Sequence, residues 1–77
     1  MRFRVMTRVV STEGGEKSVK GDTFEHEEEE EARKRYLEVV KRIRMSHVYG
    51  LQQAFLERQR DDGKWERIDQ LTKEQIK

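Results

Sequence analysis

Apolar and semi-apolar residues fall at Ala32, Tyr36, Val39, Val40, Ile43 and His47, with Leu37 on the flank. Steps of three and four are the signature of one helical face, so the pattern predicts a single amphipathic helix over residues 25–48. Asp22 or Thr23 is positioned to cap its start, and Gly50 fits a left-handed stop at its end. Along the polar side Glu29, Glu30, Glu31 and Glu38 each precede a basic residue by four positions, a ladder worth roughly 0.2–0.5 kcal/mol per pair. Acids crowd the first turns while Arg42, Arg44 and His47 close the last, which complements the helix dipole at both ends.

The rest of the chain alternates with a period of two. Residues 3–11 set Phe3, Val5, Thr7 and Val9 on one face and Arg4, Met6, Arg8 and Val10 on the other, as a half-buried strand does. Glu13-Gly14-Gly15-Glu16 reads as a tight turn, after which residues 17–23 form either a returning strand or a loose loop.

Residues 51–60 and 64–71 read as a second hairpin closed by Asp61-Asp62-Gly63. Charge selects its register: a three-residue loop with Gly63 left-handed sets Arg58 opposite Glu66, Glu57 opposite Arg67 and Leu56 opposite Ile68, whereas a two-residue loop opposes Arg58 to Arg67. Thr72 opens a short terminal stretch able to form a helical turn. The expected fold is α+β, β-β-α-β-β, with one amphipathic helix packed on a mostly antiparallel four-stranded sheet in a single domain over residues 1–77.

That hairpin register places Ala54, Leu56 and Ile68 on one face and Phe55, Trp65 and Leu71 on the other. One helix covers only one face of a sheet. An apolar patch bearing either Phe55 and Trp65 or Leu56 and Ile68, with Met6 or Val9 nearby, is therefore expected to stay open, and such patches mark interfaces. The expected interface residues are Phe55, Leu56, Trp65, Ile68 and Met6.

Composition sharpens this expectation. In 77 residues with 32% apolar and 43% charged side chains the core is thin, and a chain this size hides only about 60–65% of its unfolded surface. Oligomerisation is the usual remedy, so a homodimer or a protein partner is expected. No cysteine is present, which removes disulfides and thiolate metal sites. No apolar run approaches 18 residues and no signal-peptide pattern leads the chain, so a cytoplasmic location without membrane contact is expected.

The candidate chemistry is sparse. His26 with Glu30 suggests a metal pair at helical spacing, but the acidic run 27–31 is better read as a solvated, dipole-favoured first turn, and no metal or cofactor is expected. Ser11, Ser18 and Ser46 sit in no nucleophile motif and the two histidines lie far apart, so an enzyme is not expected. A complex-dependent enzyme subunit is a third reading.

Nucleic-acid binding is the alternative function, through Arg2, Arg4 and Arg8 on one strand face with Arg58 and Arg67 on the hairpin, and Trp65, Phe55 and Tyr49 as stacking surfaces. Against it, residues 47–77 carry six basic and six acidic side chains, which leaves little field for phosphates. In small size, lack of motifs and mixed pattern the chain resembles the short accessory proteins of phages and other mobile elements, some of which inhibit host enzymes by occupying a surface. The resemblance assigns no residue. The expectation is a non-enzymatic protein-binding or regulatory module that docks an open sheet face or the acidic helix surface on its partner.

Overall fold

The computed structural model describes residues 1–12 and 15–75. Strands β1 (Phe3–Ser11) and β2 (Ser18–His26) precede the helix α1 (Glu29–Met45), and β3 (Gly50–Gln59) and β4 (Trp65–Gln75) follow it. All four strands pair antiparallel in the order β2-β1-β3-β4. The fold is the expected β-β-α-β-β arrangement. Glu13 and Gly14 of the first expected turn, and Ile76 and Lys77 of the expected terminal turn, lie outside the described residues.

The helix buries Ala32, Tyr36, Val39, Val40 and Ile43, the predicted stripe without its last member. These side chains meet Phe3 and Val5 of β1 and Ala54 and Leu56 of β3, the two central strands, with Ile68 and Leu71 of β4 packed alongside. A thickness of 14 Å along the shortest axis fits two layers, one of helix and one of sheet.

The helix is shorter than its periodicity implied. Residues 25 and 26 belong to β2, because Glu25 pairs with Arg4 and His26 with Phe3, and completing that ladder outweighs an extra helical turn. Asp22 and Thr23 are therefore strand residues, and the Asp22 N–H is donated to Thr7 Oγ1 at 3.3 Å. Glu28 takes the N-cap position without a side-chain cap, and the Ala32 N–H meets its carbonyl at 3.1 Å.

At the other end the backbone turns extended at Ser46, which leaves His47 exposed and outside the helix. Gly50 does not stop the helix. It opens β3 at φ 121°, and a Cβ there would run into the Val10 carbonyl. Of the expected charge ladder, Glu29–Arg33 alone closes among the described residues, at 3.6 Å. Arg35 instead lies over the Phe24 ring, 4.7 Å from its centroid.

The second hairpin has the expected three-residue loop. Arg60 N–H meets the Lys64 carbonyl at 2.7 Å, Gly63 sits at φ 85°, and Arg58 opposes Glu66 while Glu57 opposes Arg67. Leu56, however, opposes Asp69 and not Ile68, because a bulge interrupts the ladder between Leu56 and Glu57. Side chains in a strand alternate, so one unpaired residue reverses the facing of everything beyond it. Leu71 consequently joins Ala54 on the helix side, where an unbulged ladder would have turned it outward.

Thr72 to Gln75 also continue as strand and do not begin a helical turn. The same half-turn carries Lys73 beneath the helix end. Its ammonium donates to the carbonyls of Ile43, Arg44 and Ser46 at 3.2, 3.1 and 2.8 Å. Three carbonyls at the helix end are thus served from a neighbouring strand, Ile43 also accepting the Ser46 N–H at 3.1 Å, and the positive charge lies where the dipole favours it. Gln52 reaches the same corner and donates to Ser46 Oγ at 3.0 Å.

Candidate functional site

Pairing parity decides which residues face away from the helix. Met6 opposes Phe55 across β1 and β3, and Phe55 opposes Gln70 of β4. Arg4 opposes Glu57, and Glu57 opposes Arg67. Val10 opposes Leu51 on one side and Val19 on the other. Trp65, opposite Gln59, completes this open face.

Of the five expected interface residues the open face brings together Met6, Phe55 and Trp65, all half-buried. Leu56 is fully buried and Ile68 is half-buried against the core, so these two leave the set, because they lie under the helix. Neither Phe55 nor Trp65 seals the hairpin against the helix.

Arginines roof the two rings. The Arg4 guanidinium lies 4.1 Å from the Trp65 centroid and that of Arg67 lies 4.0 Å from Phe55. Between them stands Glu57, whose side chain is only 8% exposed although it rises from the open face. Its Oε1 accepts from Arg4 Nε at 2.8 Å and Nη2 at 2.7 Å, and its Oε2 accepts from Arg67 Nε and Nη2 at 3.2 Å each.

A carboxylate removed from water requires partners that are both charged and hydrogen-bonding. Two guanidinium groups meet that need and, held by the carboxylate, each lies over its ring. The result is a platform of aromatic and arginine surface tied together by one buried carboxylate.

The expected nucleic-acid residues divide. Arg2, Arg4, Arg8 and Arg67 belong to the open side, while Arg58 opposes Phe3 and points to the helix side, where Glu66 pairs with it at 2.9 Å. The hydrogen bond and charge of Glu66 raise the Arg58 pKa above its ordinary value. Arg4 and Arg67 are bound to Glu57, and Arg2 stands 3.8 Å from Glu25. Within the strands the face carries Arg4, Arg8 and Arg67 against Glu25, Glu57 and Glu74, so its charges cancel.

A shallow apolar groove of about 290 Å³ crosses this face between Met6, Arg8, Val19, Gly21 and Phe55. A polar cleft of about 470 Å³ sits at the far end, between Met1, Arg58 and the Asp61-Asp62 turn. His26 ends β2 and is not on the helix, so its expected helical spacing to Glu30 does not exist. Its Nε2 is buried without a hydrogen-bond partner. Among the described residues no group of three or more His, Cys, Asp or Glu side chains converges as metal ligands. None of the helices among those residues is long and apolar enough to cross a membrane.

Comparisons with protein-family models, curated proteins and solved structures return no match. Sequence reasoning paired Glu57 with Arg67 but missed Arg4, since nothing in the chain announces that β1 lies beside β3. The available signal was a positional one: Arg4 and Glu57 share the parity of Met6 and Phe55.

Proposed function

We propose that the chain is a non-enzymatic protein-binding module whose docking surface is the open face of its sheet. The observation that supports this reading is the platform itself, with Trp65 and Phe55 held under Arg4 and Arg67 around the buried Glu57. Trp, Tyr and Arg dominate the energetics of protein interfaces, and a surface ordered before binding loses less entropy on association. Charge balance on the same face favours a protein over a nucleic acid, whose affinity rests on phosphate neutralisation. A regulatory role, in which docking blocks the partner's own surface, is the extension of this reading.

The decisive comparison uses Phe55→Glu and Trp65→Ala, which alter the open face and leave the helix-side core intact. Both variants are expected to keep their circular dichroism yet lose the protein that wild type retains in an affinity pull-down, or change mass in light scattering. Identical retained proteins and identical mass in wild type and both variants would refute the reading. Retardation of DNA or RNA at low salt, abolished by Arg8→Glu, would favour the nucleic-acid alternative.

A further inference from the structure

We infer that the occupant of the open face is a second copy of this chain, docked sheet to sheet about a two-fold axis that runs along the strands between β1 and β3. The inference rests on reading the open face as a protein-docking surface and names its partner.

The strand order makes the face self-complementary. An axis along the strands lays β1 of one copy over β3 of the other and β2 over β4, while each residue keeps its level along the strand. Glu25 then faces Arg67 of the second copy, because both stand on the level of the Arg4–Glu57 pair. Arg4 faces Glu57, Met6 faces Phe55, and Val10 faces Leu51. Every one of these contacts occurs twice, as an isologous interface requires.

Capacity remains for the new ion pairs. The Glu25 side chain is 57% exposed, and among the described residues its ion-pair partner is Arg2 at 3.8 Å, while Arg67 is 47% exposed. A two-fold axis across the strands would instead reverse the levels and bring Arg4 against Arg8 of the other copy, a like-charge juxtaposition that costs stability.

Size agrees as well. Strands of 9–11 residues are about 30 Å long at 3.3 Å per residue, and four at 4.8 Å spacing span about 19 Å. A flat area on the order of 600 Å², increased by side-chain relief, approaches the roughly 800 Å² that each partner buries in a stable interface. The resulting sandwich leaves both helices outside, with sheets about 10 Å apart.

Sedimentation equilibrium tests the assembly, and cross-linking tests its orientation. Wild type is expected at twice the 9.3 kDa chain mass, and Phe55→Glu at the single mass. Because the chain has no cysteine, Thr23→Cys and Gln70→Cys each supply one exposed thiol, on β2 and β4 at the level of Met6 and Phe55. Mixed together, these variants should be joined 23-to-70 by a short bismaleimide across about 10 Å, in several-fold excess over like-to-like pairs about 17 Å apart.

A single-chain mass for wild type at millimolar concentration overturns the second copy, as does an excess of like-to-like cross-links. If that monomer still retains another protein which Phe55→Glu releases, the docking reading survives and only the identity of the occupant is wrong. If it retains none, both fall.

Discussion

Replacing Lys73 with methionine isolates what one strand residue contributes to the helix. Methionine keeps an unbranched apolar stem of similar length and removes only the ammonium, which donates to three carbonyls between 2.8 and 3.2 Å. A hydrogen bond to a charged group contributes roughly 1.5–3 kcal/mol, and a cation at a helix C-terminus roughly 0.3–1 kcal/mol when exposed. The contributions do not add, because a single charge serves all three acceptors and the Arg44 carbonyl can be hydrated from its exposed side.

A loss of about 1.5 kcal/mol is therefore expected for Lys73→Met, which for a domain of this size lowers Tm by about 6–12 °C. Urea unfolding followed by far-ultraviolet circular dichroism measures it as a lower midpoint at unchanged slope. Lys73→Arg, which keeps the charge with a different donor geometry, should recover part of the loss. A change below about 0.3 kcal/mol in Lys73→Met would mean that water serves those carbonyls equally well, and the capping account would fail.

Other perturbations address separate parts of the molecule. Burial, then the nearby Asp69 carboxylate, raise the Tyr36 pKa above its ordinary value of 10.0, so the native state holds this proton more tightly than the unfolded chain. Stability from this group is fully present below pH 10 and is lost as pH rises through the raised value; Tyr36→Phe should flatten the alkaline slope of the unfolding free energy, and an unchanged slope would show that other groups set it. Deleting Ile68 leaves Asp69 opposite Leu56 and Leu71 opposite Ala54 in an unbulged ladder, so Leu71 and Lys73 keep their facing and only the half-buried Ile68 side chain is lost. A cost of about 1–3 kcal/mol is expected in urea, and wild-type stability would refute the packing of Ile68 against the core. Gly50→Ala meets both a left-handed φ and the Val10 carbonyl, and should cost more than about 2 kcal/mol by the same assay.

The open apolar face follows from a conflict that the fold resolves only in part. A single helix shelters Phe3, Val5, Ala54 and Leu56, yet Met6, Phe55 and Trp65 rise from the opposite side of the same strands. The Arg4 and Arg67 side chains partly cover those rings without erasing the apolar surface beneath. One buried carboxylate offsets one of the two guanidinium charges, so the platform itself keeps a single positive charge, which Glu25 and Glu74 balance against Arg8 across the rest of the face.

What local periodicity controls was readable from the chain alone. The stripe Ala32, Tyr36, Val39, Val40 and Ile43 named the helix and its buried face, alternation named β1, and opposed charges at Arg58, Glu66, Glu57 and Arg67 chose the correct hairpin loop. Each of those signals lies within a few residues or across one tight turn. Tertiary structure decided the rest: the pairing of β2 with β1 ended the helix signal at its N-terminal side, and the proximity of β1 to β3 delivered Arg4 to Glu57. The bulge at Ile68 was a matter of burial, since Ile68 and Leu71 stand three apart and an unbroken strand cannot turn both toward one core. Side chains alternate strictly, so a one-residue slip that costs a single ladder position moves Leu71 and Lys73 under the helix together.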